Sequence, residues 1–278
     1  MTEFLFTDQG TLAFDVEGEG PLVVLAHGMG DTRRSYRFLA PRLVAAGYRV
    51  AALDLRGCGE SSTGWDGYSR TDIAGDLVAL VRHLGGPAVL VGQSISGGAA
   101  TIAAATAPDL VAGLVELAPF TRAQSVDVPG LLRVRRYRQA MTRLALAAGL
   151  GNVGAWGRYL DLAVPAKPQD WATERARTLD LLREPGRTAA FKAMGSSKPT
   201  DAGAALRDVR CPVLVVEGSA DPDWADPRAE GERVVADLPA GLGELAVLDG
   251  VGHYLHLEAP DAVAALVVPF LQRTSARA

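Results

Sequence analysis

Six short runs of valine, leucine and alanine, each bounded by glycine, proline or aspartate, constrain the fold of this chain more than any other feature. They are PLVVLAH (residues 21–27), YRVAALD (48–54), AVLVGQ (88–93), VAGLVELAP (111–119), PVLVVEG (212–218) and GELAVLDG (243–250). Each has the length of a strand and is apolar almost without interruption. A strand of that kind has both faces covered, as in a parallel sheet. Helical patterns lie at residues 35–46, 71–84, 95–106, 227–238 and 260–271. Strand and helix therefore alternate, which implies an α/β fold with a mostly parallel central sheet and helices on both faces.

The alternation breaks between residues 120 and 199. No strand stands out there, but helical patterns do, among them LLRVRRYRQAMTRLALAA (131–148). Leu131, Val134, Met141, Leu144 and Ala148 fall near one face of that helix, and Arg133, Arg136 and Arg143 fall largely elsewhere. The reading is a helical cap (120–199) inserted into a core made of residues 1–119 and 200–278, with its arginines on a solvated face. GLGNVG (149–154) satisfies G-x-G-x-x-G but follows a helix instead of a strand, so dinucleotide binding is not expected.

Composition narrows the partners. A net charge of −4 lacks the basic footprint of a nucleic-acid binder. The start, MTEFLFTDQG, has neither the basic end nor the apolar centre of a signal peptide, and no run approaches the ~20 apolar residues that span a bilayer. A cytoplasmic protein with no membrane partner is expected. The two cysteines, Cys58 and Cys211, suggest neither a disulfide framework nor a zinc cluster.

The chemistry gathers around Ser94. The apolar run 88–93 passes directly into Ser94-Ile95-Ser96-Gly97-Gly98 and then a helix of small residues, as in a strand-turn-helix elbow that lifts a serine hydroxyl clear of a sheet. The residues two before and two after such a serine must be small, and Gly92 and Ser96 are. Ser96 stands where the G-x-S-x-G pattern has its second glycine, which leaves a rival register centred on Ser96. Ser94 is preferred because the strand ends immediately before it.

A serine nucleophile needs a base, and the base an orienting acid. Of the four histidines, His83 closes a helix, where the dipole favours it, and His256 reads as structural. His253 lies in the loop between the last strand and the last helix, at the carboxyl end of the sheet, from which it can reach the elbow. The loop VVEGSADPDWADP offers Asp221 as the acid and Asp223 in reserve, with Asp226 before Pro227 as a helix N-cap. Glu116, inside an apolar strand, reads as a paired or edge carboxylate.

PLVVLAHGMGD, ALDLRGCGESS, VLVGQSISGG, VVEGSADPDWADP and GVGHYLHLEAPDAVAALVVPFL together resemble, in order and along nearly the whole chain, the α/β-hydrolase fold enzymes with an inserted cap. The resemblance implies Ser94, Asp221 and His253 as nucleophile, acid and base, and an oxyanion hole made by the backbone amides of Met29 and Ile95. It implies that His27 fixes the HGMG loop and that Cys58 is a thiol near the site. The implied function is a serine hydrolase that cleaves a small or medium, largely apolar carboxylic ester through an acyl-enzyme, with a small-molecule substrate and no metal or organic cofactor. Lactone, thioester or C–C bond hydrolysis, or a ligand receptor using the same pocket, are the alternatives. Serine instead of aspartate at the elbow speaks against the haloalkane dehalogenase and epoxide hydrolase branches. Arg122, just past Pro119-Phe120, is expected at the pocket rim, holding a substrate carboxylate. An imidazole at its ordinary pKa of about 6.5 predicts activity rising from mildly acidic to neutral pH.

Overall fold

Eight strands form one sheet: β1 (Thr2–Phe6), β2 (Thr11–Glu17), β3 (Leu22–Ala26), β4 (Arg49–Leu53), β5 (Ala88–Gln93), β6 (Val111–Leu117), β7 (Val213–Gly218) and β8 (Gly243–Leu248). Their spatial order is 1-2-4-3-5-6-7-8. The computed structural model describes residues 1–123 and 126–275. The six apolar runs are the six parallel strands β3 to β8. β1 and β2 are additional, antiparallel and at one edge. β1 leaves Phe4 and Phe6 exposed, and β2 buries Leu12, Ala13 and Phe14 in succession but continues into Asp15 and Glu17, so neither shows a long uninterrupted apolar run.

Along β3, β5 and β7 successive side chains enter opposite cores, and both cores are apolar. Val23, Leu25, Val89, Val91, Leu214 and Val216 pack with α1 (Leu39–Ala45) and the C-terminal helix. Leu22, Val24, Leu90, Val213 and Val215 pack with α2 (Arg70–His83) and α3 (Ile95–Thr106). Burying each such side chain contributes about 1.5–3 kcal/mol, and a polar alternation would leave one helix layer with nothing to cover.

Between β6 and β7 lie α4 (Val128–Arg133), α5 (Arg135–Leu144), α6 (Val153–Ala163), α7 (Trp171–Leu182), α8 (Arg187–Ser196) and α9 (Thr200–Ala205), with no strand among the described residues. Ala140, Ala147, Trp156, Tyr159, Leu160 and Phe191 give these helices a core of their own, which Tyr254 and Leu257 join from the sheet domain. The single helix expected over residues 131–148 is broken at Val134, whose backbone is extended (φ −106°, ψ 99°), and beyond Leu144 it widens into a π-turn over Ala145–Gly149. The GLGNVG segment leaves that turn and enters α6 through an Asn152 cap, with no strand before it.

After β7, α10 (Pro227–Asp237) is capped by Asp226, as its sequence suggests, and α11 (Leu255–Glu258) and α12 (Pro260–Ser275) close the chain. No helix among the described residues is long and apolar enough to cross a membrane. Both cysteines are unpaired and buried, and burial pushes the Cys58 thiol up to about 12. Cys58 is therefore not an accessible thiol beside the site.

Candidate active site

Ser94, directly after β5, has φ 55° and ψ −120°, a left-handed backbone on a residue that carries a side chain. Such a conformation costs on the order of 1–3 kcal/mol and persists only where neighbours hold it. Here the Ser94 amide donates to Leu117 O (3.0 Å), and its carbonyl accepts from the amides of Gly97 and Phe120 (3.0 Å each). A Cβ at Gly92 would overlap the Ser96 carbonyl oxygen, so the turn admits only glycine there. Although Ser94 occupies the N-cap of α3, its side chain caps nothing. The hydroxyl is left to the cavity it lines. Ser96 is fully buried and donates its hydroxyl to His27 O at 2.6 Å. That bond occupies the Ser96 hydroxyl and ties the elbow to the neighbouring loop.

His253 is held in its loop from both sides. Its amide donates to Ala163 O (2.9 Å) at the end of α6, and its carbonyl accepts from Gln93 Nε2 (3.2 Å). The ring Nδ1 lies 2.7 Å from Asp221 Oδ2, and the other Asp221 oxygen accepts from the Asp223 amide (2.8 Å). Nε2 has no protein partner among the described residues and His253 lines the cavity with Ser94. A second carboxylate, Asp223, approaches Nδ1 to 3.6 Å and accepts the Tyr159 hydroxyl at 2.6 Å. Burial pushes Asp223 up to about 7 against the pull of His253. Burial lowers His253, but the Asp221 and Asp223 charges and the Asp221 hydrogen bond outweigh it and raise the imidazole to about 9. Asp221, Asp223 and His253 are also the described group whose ligand atoms cluster closely enough to chelate a cation, all within 4.8 Å. Those atoms are already engaged with one another and with Tyr159.

The cavity measures about 590 Å³ and opens between the sheet and the inserted helices. Met29, Ser94, Ile95 and His253 line it from the sheet side; Met141, Leu144, Trp156 and Met194 give it apolar walls. The backbone amides of Met29 and Ile95 donate no hydrogen bond among the described residues, and both residues line the cavity with Ser94. The loop that carries Met29 is pressed onto the elbow. A Cβ at Gly28 would overlap the Gln93 side-chain oxygen and stand 3.1 Å from Ser94 Cβ, and Gly30 has φ 67°. His27 fixes this loop: Nδ1 donates to Gly28 O (2.7 Å), and Nε2 accepts from the Leu55 amide (3.1 Å).

The sequence model describing the Alpha/beta hydrolase family matches residues 23–266. The chain belongs to the alpha/beta hydrolase family. It is 30% identical over 275 residues to 2-(acetamidomethylene)succinate hydrolase of Mesorhizobium japonicum, covering 95% of this chain and 93% of that one. To epoxide hydrolase B of Mycobacterium tuberculosis it is 37% identical over 116 residues, 40% of this chain and 33% of that one. A thermophilic esterase from Thermogutta terrifontis has the same fold with a TM-score of 0.76 and 25% identity, over 99% of both chains.

In this alpha/beta hydrolase His253 is bound to Asp221 and lines one cavity together with Ser94, Met29 and Ile95. Arg122 is placed elsewhere. Its Nε donates to Asp237 (2.6 Å) and its Nη1 to Glu230 (3.3 Å), so two acids of α10 draw it away from the cavity it was expected to rim. The arginine that does line the cavity is Arg70, at the start of α2, and no sequence signal distinguishes it. Gln93, Tyr159 and Arg136 also escape the sequence reading. Arg136 is not wholly solvated: it donates to the carbonyls of Asp221 (3.3 Å) and Ser219 (3.4 Å). Glu116 is fully buried between the hydroxyls of Thr101 and Thr121, and burial pushes it up to about 7. His256 stacks on Tyr36 with ring centroids 4.5 Å apart, and His83 meets the Phe14 ring edge-on.

Proposed function

We propose that this alpha/beta hydrolase is a serine hydrolase that cleaves a carboxylic ester through an acyl-enzyme on Ser94. One observation carries the reading: Ser94 is held in a strained turn with its hydroxyl uncapped, in a cavity shared with an imidazole whose far nitrogen is bound to a buried carboxylate. His253 Nε2 takes the proton from Ser94 Oγ as the oxygen attacks the ester carbonyl. Asp221 holds the tautomer with hydrogen on Nδ1 and stabilises the imidazolium. The amides of Met29 and Ile95 receive the tetrahedral oxyanion, a donation whose loss typically costs about 100 to 1000-fold. The intermediate collapses, the C–O bond breaks, and His253 returns the proton to the departing alcohol. Water, deprotonated by the same imidazole, then releases the acid and frees Ser94.

The helices of residues 120–199 serve in this reading as a cap that excludes water and shapes the cavity for a small or medium acyl group. Similarity to an esterase and to a hydrolase of 2-(acetamidomethylene)succinate supports turnover over ligand sensing. Epoxide opening through a covalent ester to the enzyme needs a carboxylate nucleophile, and the elbow carries a hydroxyl. The test is a fluorophosphonate with the adduct located by tandem mass spectrometry. Label on Ser94, absent in Ser94→Ala, is expected; label on Ser96, or none, overturns the reading.

The raised imidazole sets the pH dependence. His253 accepts a proton only when neutral, and below its pKa it is protonated and idle, so kcat/KM climbs with pH. With His253 near 9, the climb continues through neutral pH into the alkaline range, well above the 6.5 of a free imidazole. This replaces the rise from mildly acidic to neutral pH expected from the sequence. A profile already flat at neutral pH would show that the two carboxylates do not act on His253 as described.

A further inference from the structure

Three arginines are buried among the described residues, and they are not alike. Arg33 pairs with Asp15, Asp54 and Glu60, and Arg56 pairs with Asp76. Arg70, at 5% exposure, has no ion pair among the described residues. Its Nε donates to Phe120 O (2.8 Å) and its Nη1 to the carbonyl and hydroxyl of Ser197 (3.1 Å each), all neutral acceptors. Nη2 has no hydrogen-bond partner among the described residues, and the residue lines the Ser94 cavity. Asp201 is the acid whose charge reaches Arg70, but its carboxylate is taken by Thr71 Oγ1 (2.6 Å) and the Ala202 amide (2.9 Å). Arg70 is also the first residue of α2, where the helix dipole is positive and disfavours a cation. Burial pulls the guanidinium down to about 10.

A buried charge that the fold leaves unpaired is costly, and a ligand of opposite charge removes that cost. The neighbourhood says where such a ligand sits. A Cβ on Gly98 would stand 2.9 Å from Arg70 Cδ and 3.1 Å from Nε, so the guanidinium stem lies against Gly98. Gly98 is one helical turn beyond Ser94, about 6 Å along α3. Lys198 adds a second cation to the cavity lining, while Asp223, the carboxylate that shares it, is bound by Tyr159.

We infer that Arg70 is a specificity-determining residue that binds a carboxylate on the substrate, a few bonds from the scissile carbonyl. The inference rests on the serine-hydrolase reading and narrows its substrate from an apolar ester to a half-ester of a short dicarboxylic acid. The apolar walls hold the methylene chain, and the guanidinium takes the distal carboxylate in a charge-assisted hydrogen bond from Nη2, the nitrogen left without a partner among the described residues.

The test compares the mono-4-nitrophenyl ester of glutaric acid with 4-nitrophenyl pentanoate, which has the same chain length without the charge. The wild type is expected to favour the anionic ester in kcat/KM. Arg70→Gln is expected to reduce that preference by roughly 10 to 100-fold, mainly through KM, which is the usual worth of a hydrogen bond to a charged group. Arg70→Lys, which keeps the charge and loses the fork, should fall between them. Equal losses on both esters in Arg70→Gln, or no anionic preference in the wild type, overturns the inference. A second readout needs no chemistry: glutarate should raise the melting temperature of the wild type and of Ser94→Ala, and not that of Arg70→Gln. Stabilisation by glutarate in a protein that hydrolyses neither ester would overturn the hydrolase reading and uphold the carboxylate site. Hydrolysis of both esters with no glutarate effect would do the reverse.

Discussion

Ser94→Ala is expected to lower kcat on ester substrates by roughly 10⁶-fold, the scale seen when a triad nucleophile is removed. The size follows from what the serine alone provides, since without Oγ no acyl-enzyme forms and His253 has nothing to deprotonate. The rate left over is that of substrate held against the Met29 and Ile95 amides, roughly 10³ to 10⁴ above water. Stability should hardly change. The Ser94 side chain caps no helix amide, and alanine keeps the Cβ that makes φ 55° costly, so neither a hydrogen bond nor backbone strain is altered. Ser96→Ala should behave in the opposite way. It removes the hydroxyl that satisfies the buried His27 carbonyl, which costs about 1–3 kcal/mol of stability, and it leaves the nucleophile in place. Thermal melts alongside ester kinetics on both variants separate the two serines; a Ser96→Ala that loses activity as completely as Ser94→Ala would put the chemistry on the wrong residue.

Asp221→Asn is the second large effect, and the neighbouring carboxylate shapes it. In a triad with one acid this change costs roughly 10⁴-fold, because the amide favours the wrong imidazole tautomer. Here Asp223 Oδ2 stands 3.6 Å from the same His253 nitrogen that Asp221 approaches to 2.7 Å. A small rotation of His253 would let Asp223 accept the Nδ1 proton, so the single variant should keep more activity than a one-acid triad, and the double variant with Asp223→Asn should show the full loss of about 10⁴-fold. Asp223→Asn alone removes one of the charges that raise His253, and its kcat/KM limb should move to lower pH. The measurement is kcat/KM against pH for the three variants. A single Asp221→Asn as impaired as the double would show that Asp223 cannot serve the imidazole.

Much of this molecule could be read along the chain because the signals involved are local. Near-continuous apolarity in β3, β5 and β7 reports two covered faces, and the helix of small residues after Ser94 can be read as the far side of an elbow from residues that are covalent neighbours. The pattern failed at β1, an edge strand that buries none of its residues fully, and at β2, whose buried run is only Leu12-Ala13-Phe14 before polar residues resume. It failed again at Val134, where one extended residue divides a helical pattern that looks continuous.

By itself, the sequence determined that this chain builds a parallel sheet covered on both faces, with a serine at the end of a central strand and a histidine in the last strand's loop. Each of those follows from spacing among near neighbours. Only the tertiary structure decided which serine is free, because Ser96 is engaged by a carbonyl 69 residues away. Only it gave His253 two carboxylates, since the second becomes relevant through an approach of 3.6 Å across folded loops. And only it placed Arg70, and not Arg122, in the lining of the cavity. An arginine's place is set by which acids lie within reach, and α10 supplies two to Arg122 while no acid among the described residues forms an ion pair with Arg70. Charge compensation acts through space, over a few ångströms, between groups the chain keeps far apart.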